Sequence, residues 1–268
     1  MRQALETAKV AALAGGRVLE AMRTDMGVIR SKAWATDFVT EADVASGVAV
    51  VRAILEHDRS ARFVVEEDEV YDLVGATHGT VHDDEVWVID PLDGTTSFVH
   101  GYPMYSVSVA LLRAGQPVAG AVYNAASGEM NAAATGLGAT RDGARLHVTD
   151  TERARDALLI TGFPYDRGAP LDRQLAVLSA FLHAPVHGIR RDGSAAIDCC
   201  HVAGARADGF WEYTLLPWDM AAGVVILREA GAEVTDVEGT AWSATSENIV
   251  AANPALHAEM LAVIRSTT

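Results

Sequence analysis

Cysteine is scarce in this chain of 268 residues, and long apolar runs are missing. The two cysteines, Cys199 and Cys200, are neighbours, and neighbouring cysteines rarely form a structural disulfide. We therefore expect both thiols to be reduced and buried, as in a cytoplasmic protein. No stretch approaches the ~20 uninterrupted apolar residues of a membrane span. Lys9 and Arg17 interrupt the first apolar segment, so a signal peptide is not expected either.

An excess of basic residues is also missing. The chain has 21 Lys and Arg against 36 Asp and Glu, which gives a formal net charge of −15. Binding of nucleic acid through a basic patch is therefore not expected. A glycine-rich loop of the GxxxxGK type is absent, which argues against a nucleotide-driven enzyme. The acidity itself leaves two interpretations open, namely solubility or a gathering of carboxylates around cations.

The hydrophobic pattern predicts a layered α/β fold. Amphipathic helices are predicted at the N-terminus and after residue 40, and short β-rich runs between residues 106 and 148 are separated by turn signals that favour an antiparallel meander. Strands and helices alternate from about residue 158 onwards. We expect a single domain over residues 1–268, with a soft subdomain boundary near residue 150.

Carboxylates recur where apolar strands end or where helices begin. They are Asp43, Glu66, Glu67, Asp90, Asp93 and Asp219. Each one alone also fits a cap or a strand end. The element Asp90-Pro-Leu-Asp93 is more demanding, because two nearby like charges repel each other and burial strengthens the repulsion. A divalent cation would remove the repulsion. Exposed N–H groups of Gly94 and Thr95 at a helix start would hold a phosphate. Acids that hold a cation next to amides that hold a phosphate indicate metal-assisted phosphoryl chemistry.

Several motifs together resemble the inositol monophosphatase family of Mg²⁺-dependent, lithium-sensitive phosphatases. The motif DPLDGTTSF begins at Asp90, and a later WDMAAG contains Asp219. Further segments follow in the family's order and approximate spacing, across roughly residues 5–265. They are SKAWATDFVTEAD, VVEED, GEMNAAATGLGATRDGARL and GIRRDGSAAIDCCHVAGARADGFWE. The resemblance implies the alternating α-β-α-β-α sandwich that the family shares with fructose-1,6-bisphosphatase.

The resemblance also implies a site for two or three Mg²⁺ ions, for which Mn²⁺ is a substitute. Glu66 corresponds to the glutamate that binds the first metal and takes part in catalysis. Asp90 corresponds to the aspartate that bridges two metals, and the Leu92 carbonyl to a further ligand. Asp93 and Asp219 would hold the second metal. The first half of the chain would thus carry metal and phosphate, and the second half the rest of the substrate.

The remaining site residues are carried over in the same way. Thr95 with Asp43 resembles the pair that orients and deprotonates the attacking water. The residues expected to contact substrate are Asp93, Gly94, Thr95, Gly193, Ser194, Ala195 and Glu212. Lys32 matches a family lysine in a loop near the metals. Glu67 is expected to contact the metal ligands rather than the metal itself, although the roles of Glu66 and Glu67 are open to exchange.

The implied activity is Mg²⁺-dependent hydrolysis of inositol monophosphate, or of a similar small polyol or sugar phosphate, by direct attack of an activated water. Histidinol phosphate, fructose 1,6-bisphosphate, NADP, adenosine 3′,5′-bisphosphate and glycerol 2-phosphate stay open as other substrates. A non-catalytic metal-binding regulatory protein is an alternative of a different class. A homodimer in the cytoplasm is expected, with a small phosphorylated alcohol as substrate and with neither nucleic acid nor membrane as partner.

The sequence departs from the family pattern at three places. Ser97 stands where Asn is usual, Val65 stands where Gly is usual, and segment 68–85 is longer than expected. The composition of this segment predicts a loop, so its histidines are not expected to bind a transition metal. Trp211 has two open interpretations, core packing or a place in the substrate pocket.

Overall fold

The computed structural model of the chain describes residues 1–25, 27–31 and 38–267. Its helices are α1 (Arg2–Met22), α2 (Glu41–Leu55), α3 (Glu69–Val74), α4 (Thr95–His100), α5 (Ala169–His183), α6 (Ala195–Ala203), α7 (Pro217–Glu229) and α8 (Pro254–Arg265). Its strands before residue 150 are β1 (Ile29–Ser31), β2 (Phe38–Thr40), β3 (Arg62–Val65), β4 (Thr77–His78), β5 (Glu85–Asp93), β6 (Ser106–Arg113), β7 (Gln116–Asn124), β8 (Glu129–Ala134), β9 (Gly138–Arg141) and β10 (Ala144–Arg145). The later strands are β11 (Leu158–Thr161), β12 (Gly188–Arg190), β13 (Gly209–Tyr213), β14 (Glu233–Thr235) and β15 (Asn248–Ala252).

Helices and sheets alternate in five layers. Helices α1 and α2 cover one face of an eight-stranded sheet, and α6 and α7 lie between its other face and a five-stranded sheet. Helices α5 and α8 cover the outer face of the five-stranded sheet. Three apolar clusters fill the spaces between these layers. The predicted α-β-α-β-α sandwich is confirmed.

The eight-stranded sheet has the order β10-β9-β8-β7-β6-β5-β3-β4. Strands β5 to β10 pair antiparallel with their neighbours in sequence, which is the predicted meander. Strand β3 instead runs parallel to β5, because α3 and β4 separate the two strands in the chain. The carboxyl ends of β3 and β5 therefore lie at the same edge of the sheet. This brings Glu66, which follows β3, close to Asp90 and Asp93 at the end of β5.

The five-stranded sheet has the order β12-β11-β13-β15-β14. Strands β12, β11 and β13 are parallel, and β15 is antiparallel to both β13 and β14. The chain crosses from one sheet to the other between residues 146 and 157. The single domain and its boundary near residue 150 stay predictions. Of the helices in the described ranges, none combines the length and apolar character that crossing a bilayer requires.

The segment predicted as a loop, residues 68–85, contains helix α3 and the short strand β4. Strand β4 pairs parallel with β3, and the rings of Tyr71 and His78 stack with their centroids 3.5 Å apart. The Tyr71 hydroxyl also donates a hydrogen bond to the Phe63 carbonyl at 2.9 Å. These contacts hold the segment against the sheet. Elements of six and two residues are too short to show a period in sequence.

Candidate active site

Asp90 and Asp93 come from the irregular end of strand β5. Regular pairing with β6 runs as far as Asp90, and it resumes at Asp93 opposite Ser106 after a register shift. Pro91 interrupts the pairing but does not end the strand, since proline has no N–H to donate. The Leu92 N–H donates to Asp90 Oδ1 at 2.9 Å and fixes the local geometry. The interruption places both carboxylates at the sheet edge.

Gly94 connects this strand to helix α4, as the sequence predicts. Its φ of +92° lies in the left-handed region, which favours glycine. A Cβ atom at Gly94 would lie 2.7 Å from the Met104 carbonyl oxygen and 3.0 Å from that of Gly193. Glycine is therefore required both for the turn and for the close approach of the Gly193 loop. The turn directs the N–H groups of Gly94 and Thr95 to the start of α4.

Four carboxylates influence one another around this turn. Burial raises the pKa of Asp90 well above its ordinary value, and Glu66, Asp93 and Asp219 raise it further. Burial raises the pKa of Asp93 to about 6, although hydrogen bonds to this carboxylate oppose the shift. Loss of water contact raises the pKa of Asp219 well above normal, and Glu66 and Asp93 add to the shift. The four predicted acidic ligands thus lie close together in the structure.

The donor set fits a hard divalent cation. Carboxylate oxygens and a backbone carbonyl are the ligands that Mg²⁺ accepts, and its charge would offset both the burial and the mutual repulsion that raise these pKa values. Within the described ranges, the only three His, Cys, Asp or Glu donor atoms all within 4.8 Å of one another belong to Asp192, Asp198 and His201. The carboxylates of the acidic centre therefore form no such close set of three among the described residues.

Asp43 and Thr95 meet beside the acidic centre. The Thr95 hydroxyl lies 3.1 Å from Asp43 Oδ1 and 3.0 Å from the Leu92 carbonyl oxygen, so it can donate to either. Asp43 Oδ2 accepts hydrogen bonds from the N–H of Thr40 at 2.8 Å and from its hydroxyl at 2.6 Å. Burial raises the pKa of Asp43 to about 6 despite these hydrogen bonds. The structure thus holds a buried, oriented carboxylate next to a hydroxyl.

Asp93 also connects the first half of the chain to helix α6. Its Oδ2 accepts hydrogen bonds from the Ser194 hydroxyl at 2.6 Å and from the Ala196 N–H at 2.8 Å. Ser194 is the N-cap of α6, and its Oγ accepts from the Ile197 N–H. Gly193, Ser194 and Ala195 are therefore held beside the acidic centre, where the sequence places substrate contacts.

Glu212 enters the same cleft from β13. It is 9% exposed, and burial raises the pKa of its carboxyl to about 8. A Cβ atom at Gly162 would lie 2.0 Å from Glu212 Oε1, so only glycine leaves room for this carboxylate. The cleft is lined by Asp93, Gly193, Ala195, Glu212 and Asp219, together with Gly162, Phe163, Pro164, Tyr165 and Arg191.

Sequence reasoning missed this last group of cleft residues. Gly162 to Tyr165 follow strand β11 in a loop that carries no motif. Arg191 precedes α6 inside the segment GIRRDGSAAIDCCHVAGARADGFWE, which predicted no role for it. The only available signal was the glycine directly after the strand ALLIT, which is typical of a close approach. The Arg191 guanidinium lies 5.9 Å from the centre of the Phe163 ring, so the two loops meet at the mouth of the cleft.

Three further predicted residues have different outcomes. Lys32 lies outside the described residues. Glu66 is among the main groups that raise the pKa values of the three aspartates, which favours Glu66 as the ligand of the pair. Glu67 is the more buried of the two, and its carbonyl accepts the Val70 N–H at the turn into α3. Trp211 is fully buried against Phe181, 4.7 Å between ring centroids, so it packs in the core and does not line the cleft.

Comparisons with known proteins agree with this geometry. The sequence profile of the inositol monophosphatase family matches residues 1–268. The chain is 38% identical to an inositol-1-monophosphatase of Synechocystis sp. over 98% of its own length and 89% of the relative. It is 40% identical to a putative Nus factor SuhB of Neisseria meningitidis serogroup B, over 92% of this chain and 89% of the relative. The solved inositol monophosphatase of Anabaena (Nostoc) sp. superimposes with a TM-score of 0.84 at 35% identity, covering 99% and 96% of the two chains. This chain therefore belongs to the inositol monophosphatase family.

Proposed function

We propose that this protein is a Mg²⁺-dependent phosphomonoesterase that hydrolyses inositol monophosphate or a similar small polyol or sugar phosphate. The observation that carries the proposal is the meeting of carboxylates from β3, β5 and α7 beside the start of α4. The likeness to a relative described as an inositol-1-monophosphatase supports inositol monophosphate as the first substrate to test. Cytoplasmic location and a homodimer are part of the same proposal.

The metal ligands would be Glu66, Asp90, the Leu92 carbonyl, Asp93 and Asp219. Bound Mg²⁺ supplies positive charge that polarises the phosphate and lowers the pKa of the attacking water. Several of these carboxylates have raised pKa values in the protein alone, so binding would release protons near neutral pH. The N–H groups of Gly94 and Thr95 would bind the phosphate oxygens and stabilise the charge that develops on them.

Asp43 and Thr95 would remove the proton from the attacking water. Asp43 accepts a proton from the Thr95 hydroxyl while that hydroxyl takes one from the attacking water. The pKa of Asp43, about 6, lies near neutral pH and therefore suits a general base. Thr40 occupies the second oxygen of Asp43 and fixes its orientation. The water oxygen bonds to phosphorus while the bond between phosphorus and the ester oxygen breaks, and the leaving alkoxide takes a proton from solvent water to become the alcohol.

The alcohol would be recognised from the second half of the chain. Gly193, Ser194 and Ala195 lie at the start of α6, and Glu212 faces the cleft with a pKa of about 8. A buried carboxyl with this pKa is able to accept or donate a hydrogen bond near neutral pH. A polyol with neighbouring hydroxyl groups fits such a partner, since each hydroxyl both donates and accepts.

Asp90→Asn tests the proposal. We expect the variant to lose Mg²⁺-dependent phosphate release, because it removes a charge at the centre of the ligand set. It should keep its fold, since an amide oxygen can still accept the Leu92 N–H. Phosphate release is measured with a panel of monoesters that includes inositol monophosphates, glycerol 2-phosphate, fructose 1,6-bisphosphate and NADP.

Asp68→Asn is the matched control, because Asp68 is exposed and its side chain makes no cap hydrogen bond. It should behave like the wild type. Near-normal turnover by Asp90→Asn would contradict the assignment. Inhibition of the wild type by lithium is a further expected result.

A second candidate is a non-catalytic regulatory protein. It is favoured by the relative in Neisseria meningitidis that is described as a putative Nus factor. The presence of every predicted carboxylate in the site favours turnover instead. If the wild type binds Mg²⁺ but hydrolyses no monoester of the panel, the regulatory role is the better account.

A further inference from the structure

A second group of metal-binding side chains lies on and before helix α6. Asp198 and His201 are three residues apart and so lie on one face of the helix. Asp192 comes from the loop between β12 and α6. One donor atom from each of the three side chains lies within 4.8 Å of the other two.

Asp198 is buried without a partner. Its side chain is 1% exposed, and within the described residues neither carboxylate oxygen has a hydrogen-bond partner. A buried carboxylate without a partner is strongly destabilising as the ion, so this group requires an explanation. Both oxygens are available to a ligand, and at least one of them faces Asp192 and His201.

The neighbouring arginines have other partners. Arg141 donates to Asn131 Oδ1 and to the Cys200 carbonyl, both at 3.0 Å. Arg206 donates to Glu129 Oε2 at 2.7 Å. Arg191 contributes a weaker influence on Asp198, which burial and the nearby acids outweigh. None of these cations forms a recorded ion pair with Asp198 in the part of the chain that the structure describes.

We propose that Asp192, Asp198 and His201 bind a transition-metal ion of the Zn²⁺ type, at a site separate from the acidic centre. One imidazole and two carboxylates suit Zn²⁺ better than Mg²⁺, which prefers oxygen ligands alone. Neighbouring ligands of a tetrahedral zinc ion lie about 3.4 Å apart, and the three donor atoms lie within 4.8 Å of one another, so rotation of the partly exposed Asp192 and His201 has to close at most about 1.4 Å. Water would fill the fourth position.

The position of this site in the fold would give the bound ion a structural role. Gly193, Ser194 and Ala195 lie in the chain between Asp192 and the two ligands on the helix. An ion held by Asp192 and α6 would therefore close a loop around the N-cap that donates to Asp93. The inference concerns metal binding alone and does not depend on the proposed phosphatase activity.

Zn²⁺ binding to the full-length protein tests the site. The chelator-treated chain is kept in millimolar Mg²⁺, so that the acidic centre is filled, and is titrated with Zn²⁺ by calorimetry and with Co²⁺ by visible absorption. We expect one equivalent of Zn²⁺ to bind and Co²⁺ to give a visible ligand-field band. His201→Gln should weaken Zn²⁺ binding at least tenfold and remove the band. His183→Gln, which changes an exposed histidine on α5, should bind like the wild type.

Three results would overturn the inference. The first is an unchanged Zn²⁺ titration in His201→Gln, and the second is no binding at micromolar Zn²⁺ in the wild type. The third is loss of the Zn²⁺ equivalent in Asp90→Asn together with its retention in His201→Gln, since the ion would then occupy the acidic centre. Asp198→Asn should also lose binding, and if this core variant does not fold, His201→Gln alone decides. Phosphate release is assayed separately, so failure of this site would not be confused with failure of the phosphatase.

Discussion

At the scale of single residues, Thr95 joins two parts of the candidate active site. Its backbone begins helix α4, and its hydroxyl lies within hydrogen-bond distance of Asp43 and of the Leu92 carbonyl. Leu92 is itself a predicted metal ligand. A hydroxyl in this position would couple proton transfer at Asp43 to the ligand set, which makes Thr95 a sensitive place for substitution.

Thr95→Val should lower kcat by about 10²–10⁴-fold, the usual contribution of general acid–base catalysis. Valine keeps the shape of threonine but cannot pass a proton to Asp43. Thr95→Ser keeps the hydroxyl and should retain most of the activity. Initial rates of phosphate release at saturating Mg²⁺ measure the effect. Thr96→Val is a matched neighbour, and an equal loss in both valine variants would mean that the Thr95 hydroxyl has no special task.

Sequence could predict residues whose type is forced by the local backbone or by their charge. Gly94 is one example, since its positive φ leaves few alternatives, and Asp90 with Asp93 is another. Gly162, Arg191 and the partnerless Asp198 could not be predicted, because their surroundings come from distant segments. Glu212 and Gly162 are 50 positions apart, and only the pairing of β11 with β13 brings them together.

At the scale of secondary structure elements, the start of helix α6 is where the two halves of the chain meet. Its N-cap, Ser194, accepts from Ile197 and donates to Asp93. Periodicity predicted this helix, as it predicted the longer helices and the meander. It failed in segment 68–85, where contacts between Tyr71 and β3 stabilise elements too short to recognise.

Ser194→Ala should therefore lower both stability and activity. Loss of an N-cap costs about 1 kcal/mol, and loss of the hydrogen bond to Asp93 should weaken Mg²⁺ binding and turnover. Asn253→Ala removes the N-cap of α8, whose side chain accepts from Ala255 and Leu256, far from the acidic centre in sequence and layer. Urea unfolding and Mg²⁺ titration of activity compare the two variants. If both change activity alike, the effect of Ser194 is one of stability alone.

At the scale of the whole molecule, the buried acids make stability depend on pH. The pKa values of Asp43 and Glu212 are raised, to about 6 and about 8, so the folded chain binds more protons than the unfolded chain between the ordinary and the raised values. The stabilisation that these two carboxyl groups contribute to the fold is present at acidic pH, and it is lost as the pH rises through their raised pKa values. Bound Mg²⁺ should oppose the loss at the ligands, since it binds the ionised carboxylates.

Glu212→Gln tests this effect, together with the smaller influence of Glu212 on the pKa values of Asp198 and Asp219. Relative to the wild type, its free energy of unfolding should increase between about pH 4.5 and pH 8, by roughly 2–5 kcal/mol at 1.36 kcal/mol per pKa unit. The partly exposed His201 and the buried His257, whose pKa values are lowered by desolvation, contribute equally to both proteins and cancel in the difference. Urea unfolding in EDTA at pH 5, 7 and 8.5 provides the measurement. Parallel pH profiles for the two proteins would contradict the raised pKa of Glu212.

The hydrogen bonds that Asp93 accepts from Ser194 and Ala196 have a consequence for exchanging parts between family members. A carboxylate of the half that would hold phosphate thus accepts hydrogen bonds from the start of α6, in the half that would recognise the alcohol. A chimera that takes residues 158–252 from a relative with another substrate has a new cleft. The start of its helix α6 must still donate hydrogen bonds to Asp93 Oδ2. Grafts that preserve a serine at position 194 should carry specificity across, and grafts that change it should assemble without aligning the two halves.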